Sequence, residues 1–250
     1  MKVKASLHLH THEDQEDCGI VDYTLYELID LAASKGFKVL ASTGHKAMVC
    51  RPEFVAYAKT KGILLIPGIE LSVNHRHILM LDCDESANSI KDFEKLVAYK
   101  KSHPQCFVMA PHPNHRFGSL GLSNLKRYAE SFDAIEHSWH YTKTFDPNFQ
   151  SVKTAKELGL PLVATSDLHT LDYLDTDYAV VEVKELTATE VFKALKAGKF
   201  KNVSQPKTIR ELFGFHVYHL FREVRHRGIF YSIFKILIRL VRELWSIIKK

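Results

Sequence analysis

The sequence predicts an α/β fold whose strands close into a TIM-like barrel, followed by a C-terminal amphipathic helical extension. Short β-branched or apolar runs alternate with helical patterns, the signature of repeated strand–helix units. Seven or eight such runs precede residue 185, a number that fits a closed barrel better than an open sheet. With 250 residues and 46% hydrophobic content, the chain can fill one barrel-sized core.

The strands are read, in order, in VKASLHL, KVLAST, LLIPGIEL, HILMLD, CFVMAP, AIEH, LPLVATSD and YAVVEV. Between them, YTLYELIDLAASKG, EFVAYAKTKG and IKDFEKLVAYKK carry helical periodicity, with Ile90, Phe93, Leu96 and Val97 forming an apolar stripe in the last. Gly36, Gly62 and Gly159 stand where helices should end, because glycine takes the left-handed terminal conformation at least cost. Repeated units of this kind imply a largely parallel sheet.

Gln205-Pro206 marks a boundary between a barrel over residues 1–205 and a basic helical tail over 206–250. Two amphipathic patterns follow it, broken at Gly228. In the second, Ile229 to Ile248, Ser232, Lys235, Arg239, Arg242, Glu243, Ser246 and Lys249 leave a wide apolar face. Three cations and an anion in that span exclude a transmembrane helix. Two readings stay open: the face packs on the barrel's outer helices or a second subunit, or it makes peripheral membrane contact with its cations toward anionic headgroups.

The net charge of +5 belongs to this tail, where ten Lys/Arg face three Asp/Glu, so the other 205 residues carry −2. A slightly acidic body excludes a generally basic surface, and no stable nucleic-acid partner is expected. Four cysteines without a C-x-x-C pair, and a start of MKVKASLHLH without an apolar signal core, point to the cytoplasm, with membrane-surface association if the tail docks there.

Fifteen histidines are the informative excess, imidazole being the commonest metal ligand. His8 and His10 lie two apart on a strand and so share a face. The other strands carry a potential ligand at one end: His45, Glu70, His77, His112, Glu136, then Asp167 with His169, and Asp17 lies in the loop after the first strand. In a barrel these ends form one face, where groups distant in sequence become neighbours. Each residue alone has an ordinary reading as a cap, a turn residue or a solvated side chain. Glu70 and Glu136 resist it, since a carboxylate among apolar strand residues costs on the order of several kcal/mol without a partner.

Together, SLHLHTH, STGH, PGIEL, HILML, PHP and SDLH resemble the polymerase and histidinol phosphatase (PHP) superfamily over residues 1 to about 200. The resemblance implies a distorted (β/α)7 barrel, two or three divalent ions (manganese, zinc or iron) and hydrolysis of phosphate esters. It implies that His8, His10, Glu70 and Asp167 hold one ion, that Glu70 bridges to a second with His77 and His112, and that Asp17, His45 and His169 hold a third. Asp167, Glu70 and His112 are the expected catalytic residues, and Arg116 in PHPNHRFG is the expected clamp on a substrate phosphate.

Two departures stand out. Thr43-Gly44-His45 replaces the usual Thr-Asp-His, an expected loss of a carboxylate that orients His45. Where an asparagine often follows the glutamate near 136, the chain reads His137-Ser138-Trp139-His140, leaving Glu136 to orient a ligand or face the substrate. The expected substrate is a phosphomonoester or phosphodiester of a small phosphometabolite, nucleotide or short oligonucleotide. The alternatives are a non-catalytic metal-binding PHP scaffold module and a metal-dependent amidohydrolase, whose bridging lysine is not evident here.

Overall fold

The computed structural model describes residues 1–114 and 119–232. β1 (Lys2–Leu9), β2 (Phe37–Ser42) and β3 (Leu64–Val73) run parallel, joined through α1 (Leu25–Ser34) and α2 (Pro52–Thr60). Thr24 opens α1 with a capping box to Glu27, and Pro52 occupies the first turn of α2, where its missing N–H costs nothing. Gly36, Gly62 and Gly159 follow or cap their helices with φ of 78°, 68° and 66°, as the spacing predicts.

β3 then reverses at Asn74 and His75, both at positive φ, into an antiparallel β4 (Arg76–Leu81). Two consecutive positive φ values make a turn whose twist matches that of the strands it joins. α3 (Phe93–Ser102) leads to β5 (Phe107–Ala110), antiparallel to β4, and α4 (Leu122–Arg127) to β6 (Ala134–Ser138). α5 (Asn148–Leu158) leads to β7 (Leu162–Thr165), and β5, β6 and β7 are mutually parallel. β8 (Asp177–Glu182) pairs antiparallel with β1. After α6 (Ala188–Lys196), β9 (Phe200–Ser204) pairs antiparallel with β8.

The nine strands form one sheet in the order β7-β6-β5-β4-β3-β2-β1-β8-β9, curled until its ends nearly meet. Two clasps hold the seam. The chain after β7 pairs with the end of β1 through Leu168 N–H to His8 O and His10 N–H to Leu168 O, both 3.1 Å. The Asn202 side chain of β9 accepts from Ala164 N–H at 2.9 Å and donates to Leu162 O at 2.8 Å on β7.

The expectation of a largely parallel sheet is corrected: the sheet is mixed, because a two-residue turn leaves β3 no room for a crossover helix. The reversal serves the site. An antiparallel β4 brings its first residues, including His77, to the rim where the parallel strands end.

The barrel interior is filled by Val3, Ala5, Leu7, Val39, Ile66, Leu79, Phe107, Met109 and Val163. Val191, Phe192 and Leu195 of α6 join this cluster, with Phe192 stacked on Phe107 at 4.8 Å, and so close the end opposite the rim. α1 and α2 cover the outside of β1 and β2, while α3, α4 and α5 cover β3 to β6.

The tail is tied to the barrel. Lys207 Nζ lies 2.6 Å from Asp177 Oδ2, both side chains buried, a pair that is costly to break because either partner would be left as an uncompensated buried charge. α7 (Ile209–Arg227) then crosses the rim, resting on the loops after β1, β6 and β7 instead of the outer helices. Tyr218 and Arg222 reach Asp22 at 2.9 and 3.0 Å, His216 meets His140 at 2.8 Å, and Phe215 packs on Trp139 at 4.8 Å. Of the second expected tail helix, Ile229–Ser232 are described and helical, and residues 233–250 lie outside the described residues. Among the described residues no helix is long and apolar enough to cross a membrane.

Candidate metal centre

The register of β1 against β2 slips between Ser6 and Leu9. Beyond the slip Leu9 packs outward beneath α1, while His8 and His10 turn into the barrel mouth, fully buried and 5.0 Å apart between ring centroids. Thr43, at the end of β2, accepts from Leu9 N–H at 2.9 Å and donates to Leu9 O at 3.0 Å, fixing this stretch.

Glu70, buried on β3, is the hub. Its Oε2 lies 3.5 Å from His8 Nε2, 3.5 Å from His10 Nε2 and 3.0 Å from His45 Nε2, and its Oε1 lies 2.8 Å from His77 Nδ1 and 3.1 Å from His112 Nε2. Asp167 Oδ1 lies 3.4 Å from His8 Nε2 and 3.3 Å from His10 Nε2. On the other side of His10, Asp17 Oδ2 sits 3.2 Å from its Nδ1, 3.0 Å from His45 Nδ1 and 3.9 Å from His169 Nε2. All nine ligands expected from the sequence are thus brought together.

Among the described residues, three groups have donor atoms close enough to share an ion: His8, His10 and Asp167; His45, Glu70 and His77; and His10, Asp17, His45 and His169. The grouping differs from the expected partition: His45 joins Glu70 and His77 as well as Asp17, His10 also joins the Asp17 group, Glu70 is not in the group of His8, His10 and Asp167, and His112 is in none of the three. Asp167 and His112 carry backbone φ of 42° and 28°, left-handed values that a side chain other than glycine's holds only when its surroundings enforce them. Arg116 lies outside the described residues.

Two carboxylates hold ligands in place. Glu136, fully buried, accepts from His8 Nδ1–H at 3.0 Å, from the Thr165 hydroxyl and from the His112 backbone N–H. Of its two expected roles, the structure shows the orienting one. The second carboxylate, Asp14, goes unnoticed in the sequence. Its Oδ2 accepts from His45 N–H at 2.5 Å and from His45 Nδ1–H at 2.9 Å, and its Oδ1 caps Glu16 N–H at 2.9 Å.

Asp14 therefore stands in for the carboxylate absent at position 44, correcting the expectation that His45 is loosely held. A Cβ at Gly44 would meet Val49 Cγ1 at 2.9 Å, so a side chain does not fit there without displacing Val49. Asp14→Asn keeps an acceptor for one of the two backbone amides and removes the charge behind the imidazole; it is expected to weaken divalent-ion binding about 10-fold or more. Unchanged binding in a metal titration would show that His45 is positioned by its backbone alone.

The site fits a cation by hydrogen-bond accounting. Carboxylates only accept, so His8 and His45 spend their N–H on Glu136 and Asp14 and present bare Nε2 lone pairs. Those lone pairs face carboxylate oxygens at 3.0–3.5 Å, and His8 Nε2 and both nitrogens of His10 are buried with no hydrogen bond. Acceptors opposing acceptors need a proton or a metal ion between them.

The electrostatics agree. Burial pushes Glu70 up, but His77, His8 and His45 hold it well below the ordinary carboxylate value. Burial likewise opposes, and neighbouring imidazoles outweigh it, for Asp167 beside His8 and His10 and for Asp17 beside His45 and His10. Burial and His45 pull His10 down, yet the adjacent carboxylates of Asp14, Asp167 and Asp17 raise it to about 10. Against opposing burial, the charges of Asp167, Glu136 and Glu70 raise His8, and those of Asp17 and Glu70 raise His45. Burial wins at His77 and His169, which fall below 6.5.

A pH dependence of the metal-free chain follows. The raised histidines stabilise the fold fully below pH 6.5 and lose that contribution as pH rises, for His10 through about 10. His77 and His169, depressed, lose theirs as pH falls below 6.5, and the depressed carboxylates lose theirs only in acid. Chelated protein is expected to melt highest near pH 6.5 and progressively lower toward pH 10. Melting curves that stay level or rise over that range would contradict the charge assignment.

The fold and the site define a class: a barrel carrying at its rim a cluster of imidazoles and carboxylates that could hold metal ions. The PHP domain model matches residues 6–150 and the PHP-associated model residues 145–200, and the chain belongs to the PHP family. Similar solved structures include a two-domain Bacteroides vulgatus protein containing a predicted PHP-like metal-dependent phosphoesterase (18% identity, 86% of this chain and 69% of that one, TM-score 0.64). A lesion-specific endonuclease from Pyrococcus furiosus is similar at 17% identity over 81% and 58%, TM-score 0.60. An amidohydrolase from Chromobacterium violaceum, with bound sulfate and no metal, is similar at 14% identity over 80% and 98%, TM-score 0.54. No curated protein matches the chain.

Proposed function

We propose that the chain is a hydrolase of phosphate esters, acting on a phosphomonoester or phosphodiester of a small metabolite, nucleotide or short oligonucleotide. The observation that carries the reading is Glu70, buried and surrounded by five imidazoles whose nitrogens lie 2.8–3.5 Å from its oxygens. Two or three divalent ions, of manganese, zinc or iron, would be held by His8, His10 and Asp167, by Glu70 with His77 and His112, and by Asp17, His45 and His169. Bound there, such ions supply charge neutralisation for a phosphoryl group and a water acidic enough to attack at neutral pH.

The protein's own part is positioning, which dominates phosphoryl transfer. Glu136 and Asp14 fix the rings of His8 and His45, so that little reorganisation remains when the substrate arrives. Asp167, with 18% of its side chain exposed, is the carboxylate that faces the mouth, and His112 sits beside Glu70. A cavity of about 450 Å³ lies between Thr170–Tyr173 and Phe215 and Tyr218 of α7. Its size and aromatic wall suit the organic part of a small ester.

The test is a substrate panel on metal-loaded protein: an aryl phosphomonoester, an aryl phosphodiester, a nucleoside monophosphate and an aryl amide. Turnover of a phosphate ester that disappears on chelation and returns with manganese or zinc is expected. Turnover of the amide alone would move the chain to amide hydrolysis, and tight metal binding without any turnover would make it a scaffold module.

A further inference from the structure

α7 has a second face. Its inner side, with Phe215, Tyr218, His219 and Arg222, rests on the rim loops. Opposite, Ile209, Phe213, Val217, Leu220 and Phe221 recur every three or four residues and are 74%, 69%, 48%, 45% and 63% exposed. Ile229 and Phe230 carry exposed apolar surface past Gly228. A run of this length facing water marks a contact surface, since scattered single residues are the ordinary case.

The surrounding charge indicates the partner. Arg210 and Arg225 are exposed on the same helix, and residues 206–250 carry ten cations against three anions while the rest of the chain is slightly acidic. The sequence after Ser232 has the same character, with Lys235, Arg239, Arg242, Lys249 and Lys250 among Ile, Leu, Phe and Trp. Apolar residues rimmed by cations are the complement of an anionic lipid surface.

We propose that the outer stripe of α7 docks in the plane of an anionic bilayer, with its arginines toward the headgroups. Because the same helix crosses the loops after β1, β6 and β7, docking sets the rim of the barrel beside the membrane. The proposal does not depend on the metal reading, and its test needs no turnover.

The test is co-sedimentation of the full-length chain with vesicles of phosphatidylcholine alone and with phosphatidylglycerol added, at low and high salt. Binding to the anionic vesicles is expected, weaker at high salt, and lowered about tenfold or more in Phe213→Ser/Phe221→Ser. Both rings are solvent-exposed, so the variant should melt like the parent. Arg210→Glu/Arg225→Glu should weaken binding and flatten its salt dependence. Absence of vesicle binding by the parent, or equal binding by the serine variant, would overturn the proposal. So would a parent dimer, seen by light scattering, that the serine variant dissociates, because a second copy would then occupy the stripe.

Discussion

Glu70→Gln is expected to lower phosphate-ester turnover by about three orders of magnitude, on the order of 4 kcal/mol of transition-state stabilisation. The substitution barely changes volume, so packing on β3 survives. What changes is charge at the one group whose two oxygens lie near His8, His10, His45, His77 and His112. An amide there adds donors facing histidine nitrogens and removes the negative charge that neutralises a cation. Elemental analysis of the same preparation should show less metal than the parent. Full activity in Glu70→Gln would remove the hub from the account.

Glu136→Ala is expected to act on stability and on metal affinity together. The carboxylate is fully buried and accepts from His8 Nδ1–H, the Thr165 hydroxyl and the His112 backbone N–H. Truncation strands these donors and leaves a cavity, at a cost of about 3 kcal/mol. It also frees the His8 ring to rotate and choose the other tautomer, for which about a 10- to 100-fold loss in divalent affinity is expected. Urea denaturation of chelated protein isolates the first effect and metal titration the second. A variant that loses stability but binds metal like the parent would show Glu136 to be a packing group only.

Much of the site was legible in the sequence, because a barrel converts strand-end positions into neighbours. His8, His10, His112 and Asp167 lie at or just past strand ends, as that rule requires, while Glu70 lies inside β3, bridged to His45. His77 opens its strand instead of closing it, and it reaches the rim because the Asn74-His75 turn makes β4 antiparallel. The parallel-sheet expectation failed at that same turn and again at β8 and β9, which pair antiparallel with β1 and with each other. Asp14 was hidden: in THEDQED it is one acid among four, and only the fold of the loop separates it from Glu13 and Glu16.

The course of α7 was hidden for a different reason. Its periodicity shows that apolar residues recur, but Phe215 and Tyr218 pack inward while Phe213 and Phe221 face water, and composition does not distinguish the two sets. β9 escaped notice because Asn202, a poor strand former, is retained there for its side-chain clasp on β7.

These side chains are proposed to form one polynuclear metal centre that hydrolyses phosphate esters. Native mass spectrometry of the full chain, with turnover of an aryl phosphate measured on the same sample, tests it most directly. Two or three divalent ions per chain, falling in Glu70→Gln and Asp167→Ala in step with activity, is the predicted result. A parent chain that turns over the ester equally well with no ion bound would contradict it.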